Sequence, residues 1–121
     1  MANNVIELKN INKIYGNLVK TQVLYDFNIQ FGEKSINKII GQSGSGKSTQ
    51  LNIMGTLDKP TSGEVYINHQ RTDLMNSGQL AKLRNSEIGF IFQFHYLLPE
   101  FSVLENVLIP YWIKKENFPL M

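Results

Sequence analysis

Residues 41–48 read GQSGSGKS, and no other stretch of this 121-residue chain restricts its fold as strongly. The pattern G-x-x-x-x-G-K-[ST] is a phosphate-binding loop, set between a strand and a helix. Gly44 and Gly46 let the backbone turn so that successive N–H groups point inward, where a Cβ would obstruct an anion. The helix beginning near Lys47 adds its positive N-terminal end. Lys47 brings a mobile cation for β- and γ-phosphate oxygens, the Ser48 hydroxyl is placed to ligate Mg²⁺, and Thr49 adds a hydrogen bond on the α-phosphate side. The candidate nucleotide-binding residues are therefore Gly41, Gln42, Ser43, Gly44, Ser45, Gly46, Lys47, Ser48 and Thr49. The competing reading is a flexible Gly/Ser surface loop that happens to carry a lysine.

The flanks fit the first reading. Ile6 and Leu8 open an extended segment, and Tyr25, Phe27, Ile29 and Phe31 alternate with Asp26, Asn28 and Gln30, which predicts half-buried antiparallel strands. A turn at Gly32-Glu33 precedes SINKII, the expected strand into the loop. KSTQLNIMGTL reads as a helix whose apolar face is Leu51, Met54 and Leu57. DKPTSG breaks it, and EVYIN alternates as another strand. NSGQLAKLRN predicts a short helix with Leu80 and Leu83 inward and Lys82 and Arg84 outward.

IGFIF at 88–92 is a continuous apolar run, consistent with a strand covered on both faces and ending at Gln93. Ser102 and Glu105 form an S-x-x-E capping box, so a helix should begin near Val103. Pro110 should kink or end it, having no donor and clashing with the preceding turn. Tyr111, Trp112 and Ile113 are either core or interface, with core favoured.

Composition narrows the partners. Twelve Lys and Arg against ten Asp and Glu leave a net charge of +2, too small and too scattered to attract nucleic acid. The chain has no cysteine, which excludes disulfides, thiolate metal sites and thiol catalysis. His69 and His95 are too far apart in sequence to suggest a metal site. MANNVIELKN has neither the basic nor the apolar part of a signal peptide, and the apolar stretch at 107–113 falls far short of the roughly 20 residues that span a bilayer. A cytoplasmic chain that reaches a membrane only through a partner is expected.

GQSGSGKST, LNIMGTLDKPTSGEVYIN and IGFIFQFHYLLPEFSVLENV together resemble ABC transporter ATPases, most closely the subgroup serving lipoprotein release and macrolide or peptide export. The resemblance implies an α/β P-loop NTPase fold. Within it, residues 1–121 form the N-terminal portion of an ABC ATPase domain: an antiparallel β subdomain plus a partial parallel core sheet with helices. It implies ATP and Mg²⁺ as ligands, and ATP binding and hydrolysis coupled to export or lipoprotein release. A membrane permease and a second ATPase subunit are the implied partners, on the cytoplasmic face of the inner membrane. Neither nucleic-acid binding nor direct membrane insertion is implied.

By the same resemblance, Tyr15 in KIYG falls where the family places an aromatic residue against adenine; from sequence alone it could equally pack under the strands. Gln93 matches the Q-loop glutamine, a metal and attacking-water contact, against the simpler reading of a strand-end cap. Lys47 and Gln93 would thus contribute to catalysis, and Ser48 and Gln93 would hold the metal. The segment PEFSVLENV resembles the start of the helical subdomain that receives the transporter's coupling helix.

Two departures stand out. Gln50 occupies a usually apolar position on the P-loop helix and needs a partner or solvent. No Asp follows Asp73, so the Walker B carboxylates are missing from these 121 residues, as are an LSGGQ signature and a switch histidine. Ser77-Gly78-Gln79 precedes the Q-loop and reads as a helix start, and His95 as a loop residue. Two alternatives remain: a non-catalytic remnant binding nucleotide weakly or not at all, and a small P-loop kinase, which has only Arg71 and Arg84 to build a lid.

Overall fold

Two long strands, β1 (Asn4–Tyr15) and β2 (Thr21–Gly32), pair antiparallel in a computed structural model that describes residues 3–41, 46–91 and 96–114. β3 (Ser62–Ile67) pairs antiparallel with the other edge of β1, and the two-residue β4 (Gln70–Arg71) follows on β3, giving the order β2-β1-β3-β4. These strands and helix α1 (Lys47–Met54) belong to one compact unit, Met1–Asn76. A second unit, Ser77–Met121, holds α2 (Ser77–Glu87) and α3 (Val103–Lys114).

The alternation expected of β2 is interrupted where its register with β1 shifts. Leu8 faces Ile29 and Ile11 faces Phe27, so β1 carries an extra residue there; Ile11 to Lys13 then spans Phe27 to Leu24, so β2 carries the next one. Such bulges reverse which side chains face inward. Hence Leu24 enters the core with Phe27, Ile29 and Phe31 packed nearby, while Tyr25, expected among the inward set, is exposed. Asn10 and Asp26 take positive φ of 52° and 41° at these two bulges. Backbone groups released from the ladder are recovered by amides: Asn10 N donates to Asn28 Oδ1 at 2.9 Å and Asp26 N to Asn12 Oδ1 at 3.0 Å.

The core of this unit is Leu8, Ile11 and Leu24 with Val65 of β3 and Ile53 and Met54 of α1. The apolar face of α1 therefore differs from the expected one. Ile53 is 1% exposed, whereas Leu51 is 55% exposed. The helix ends at Met54, and Thr56 turns with a φ of 63°, so helical spacing no longer governs Leu57, which is also exposed.

The parallel strands expected at 35–40 and 88–92 are not formed among the described residues; 35–41 and 88–91 carry no strand pairing. Ile39 packs against the core, but Ile36, Ile40 and Ile91 are exposed. A parallel strand buried on both faces needs hydrogen-bonded neighbours and cover, and the described residues supply neither. Residue 92 lies outside the described residues.

In the second unit, α2 buries Leu80 and Leu83 as its spacing predicts, and Ser77 opens it. Residues Ser102 and Glu105 close the capping box: Glu105 N donates to Ser102 Oγ at 3.1 Å and Ser102 N to Glu105 Oε1 at 2.8 Å. Asn106 locks the preceding turn, accepting from Leu98 N at 2.9 Å and donating to the Leu98 and Ser102 carbonyls. The helix continues beyond Pro110 to Lys114, so the proline does not end it; the Pro110 carbonyl accepts from Asn85 Nδ2 of α2 at 2.9 Å. No residue of α3 is buried. The expectation that Tyr111, Trp112 and Ile113 form core is corrected accordingly: Tyr111 and Ile113 are exposed and Trp112 is half-buried. No helix among the described residues is long and apolar enough to cross a membrane.

Candidate nucleotide site

The head of α1 contains Lys47, Ser48 and Thr49 of the expected phosphate loop. Gly46 is its N-cap, at φ 93° and ψ 9°, and a Cβ there would lie 3.2 Å from Leu24 Cδ2 and 3.3 Å from Val23 Cγ1. The left-handed backbone favours glycine, and a side chain there would also crowd these two residues of β2. No side chain caps the helix, and its first turn holds no acidic residue. Its leading N–H groups and positive dipole end are therefore suited to an anion.

The Lys47 ammonium donates to the Gly41 carbonyl, so the two ends of the loop are joined across it. Ser48 is exposed and Thr49 half-buried. Gln50 is half-buried, with its backbone N–H bonded to the Gly46 carbonyl at 2.9 Å. Residues Gln42, Ser43, Gly44 and Ser45 lie outside the described residues, as do Gln93 and His95. Among the described residues no cluster of three or more His, Cys, Asp or Glu is available to a metal. Of the two expected metal ligands, Ser48 lies at the head of α1 and Gln93 lies outside the described residues.

Tyr15 stands at the end of β1, 39% exposed, and does not pack under the strands. Its hydroxyl donates to Asp58 Oδ2 at 2.9 Å and approaches Thr49 Oγ1 at 3.4 Å. The structure thus brings the expected base-contact residue to the phosphate helix. Two residues of this cluster were missed in the sequence. The Lys13 ammonium lies 4.9 Å from the Tyr15 ring centroid and donates to Asp58 Oδ1 at 3.0 Å and the Lys59 carbonyl at 2.7 Å. The i, i+2 spacing of Lys13 and Tyr15 places both on one strand face and was the available signal. Asp58 read only as part of a turn.

Burial raises the Asp58 pKa, but hydrogen bonds from Lys13 and Tyr15, the Lys13 charge and the Lys59 N–H together hold it below the ordinary carboxylate value. Asp58 therefore stays ionised at neutral pH, which keeps both of its oxygens as acceptors.

A glycine-capped helix that begins within GQSGSGKS and seats on an antiparallel sheet is the arrangement of a P-loop nucleotide-binding fold. The family profile described as ABC transporter matches residues 24–119, and the chain belongs to that family. Among solved structures, it is similar to the ATP-binding cassette MJ0796 in a dimeric post-hydrolysis state bound to ADP and Pi, at 43% identity and a TM-score of 0.86 over 92% of this chain and 48% of that one. A second structure, the dimeric bacterial ABC transporter cassette MJ0796, matches at 44% identity and a TM-score of 0.86, over 91% of this chain and 48% of that one. The chain therefore spans about half the length of the solved cassettes it matches.

Proposed function

We propose that this chain binds Mg·ATP as the nucleotide-holding part of an ABC transporter ATPase. One observation carries the reading: α1 opens on a left-handed Gly46 with no side-chain cap and no acidic residue in its first turn, and Lys47 is its first residue. Residues 41–49 take the phosphates, Lys47 neutralises their charge, and Tyr15 takes the adenine. Ser48, with Gln93, holds the metal; bound Mg²⁺ would offset charge on the β- and γ-phosphates.

Hydrolysis in the family needs a signature motif, Walker B carboxylates and a switch histidine, none of which these 121 residues contain. Binding is thus the share of the work assigned to residues 1–121, the phosphate-loop and Q-loop portion of the domain. The remaining assignments follow the resemblance: export or lipoprotein release as the process driven, a membrane permease and a second ATPase subunit as partners, and the cytoplasmic face of the inner membrane as the location. The dimeric state of the similar MJ0796 cassette supports the second subunit.

Calorimetric titration of the 121-residue chain with Mg·ATP tests the reading. Saturable binding that Lys47→Ala weakens by at least tenfold is expected. Affinity unchanged by that substitution overturns it.

A further inference from the structure

We infer that Lys13 and Asp58 are positioning residues for the nucleotide base, acting by fixing the Tyr15 ring at a set distance from the phosphate helix. This rests on the reading of Tyr15 as the adenine contact and adds to it two residues that the loop pattern does not contain.

An aromatic side chain at a strand end stacks on a purine only if its plane is held, since a ring free to turn loses that freedom on binding. Tyr15 is held at two points. Asp58 Oδ2 accepts from its hydroxyl at 2.9 Å, and the Lys13 ammonium sits 4.9 Å from the ring centroid. Asp58 joins these restraints, because its other oxygen accepts from Lys13 Nζ at 3.0 Å and from Lys59 N at 2.8 Å. Lys13 is itself fixed, with only 13% of its side chain exposed. A cation on one face leaves the opposite face for a base and polarises the ring toward an electron-rich partner.

The carboxylate also ties this ring to the phosphate end. Asp58 lies in the turn after α1, its N–H bonded to the Asn52 carbonyl at 3.2 Å, and the head of the same helix carries Lys47, Ser48 and Thr49. Tyr15 Oη reaches Thr49 Oγ1 at 3.4 Å. Base contact and phosphate contact are thereby referred to one helix, which fixes the span between them. Ligands offering both a base and a polyphosphate benefit from that span; a bare polyphosphate does not.

The test compares dissociation constants for Mg·ATP and for magnesium tripolyphosphate, which has the phosphates and no base, in the full chain. Their ratio measures the base contribution. Tyr15→Ala should reduce the preference for ATP roughly tenfold, the scale of one aromatic–base stack. Asp58→Ala and Lys13→Met should each reduce it about threefold with tripolyphosphate affinity unchanged, and Lys13→Arg should restore most of it. Asp58→Ala should add little further loss in a Tyr15→Phe background, where the hydroxyl is already gone.

If Tyr15→Ala lowers the preference while the Lys13 and Asp58 variants do not, positioning is overturned and the adenine reading stands. If Tyr15→Ala leaves it unchanged, the adenine reading falls and this inference with it. Equal weakening of both ligands in the Asp58 variants also overturns it. Should Asp58→Ala fail to fold, Asp58→Asn, which keeps the shape, carries the same comparison.

Discussion

A Cβ on Gly63 would lie 2.5 Å from the Asn10 carbonyl oxygen and 2.8 Å from that of Lys9, so β3 can approach the β1 bulge only through a residue with no side chain. Gly63 also holds a φ of 108°. Gly63→Ala meets both penalties at once and is expected to destabilise the chain by about 2 kcal/mol or more. Urea denaturation of the two proteins checks this. A midpoint unchanged from wild type would contradict the close approach.

The identity of the inward face of α1 is open to a paired substitution. Ile53→Ala removes a buried core side chain and should cost about 2–5 kcal/mol, while Leu51→Ala, more than half exposed, should cost well under 1 kcal/mol. Thermal unfolding distinguishes the two. Equal losses would restore the face expected from spacing.

Removing the capping box should be felt locally. Ser102→Ala leaves Glu105 N without its side-chain acceptor and should cost about 1 kcal/mol of helix stability. Amide hydrogen exchange in the first turn of α3 should accelerate, with β1 and β2 unaffected.

The charge cluster at Tyr15 gives stability a defined pH dependence. Asp58 titrates below its ordinary value of 3.8 in the folded chain, so the unfolded chain binds the proton more readily. Its contribution is complete above that ordinary value and is lost as pH falls through the lower folded value. Denaturation of wild type and Asp58→Asn as a function of pH should therefore show a stability difference that is constant near neutrality and shrinks at acid pH. A difference that grows on acidification would contradict the ion pair with Lys13.

Much of this was legible in the sequence because the signals were local. The capping box pairs residues three apart, and Leu80 and Leu83 share a helix face whatever surrounds them. Long-range effects were not legible. Tyr25 left the inward set because bulges on two strands compensate one another, and those bulges depend on amides of Asn12 and Asn28 that carry no distinctive pattern. The strands at 35–40 and 88–92 were read from apolar content alone, which does not reveal whether hydrogen-bonding neighbours are in place. Asp58 belongs to the candidate site through Lys13 and Tyr15, more than forty positions away in the chain.

The buried cluster of Leu8, Ile11, Leu24, Ile53 and Met54 has Val65 as its last residue in sequence, with Ile39 packed against it. A ribosome that has extruded the first seventy or so residues has thus already delivered every side chain this core requires. The sheet can close during synthesis with α1 seated on it and with Ile36 and Ile40 facing water. Exposed isoleucines next to unpaired backbone are sites where two nascent chains could adhere. For a polypeptide of this design, adhesion between chains therefore competes with folding from the moment the first core closes.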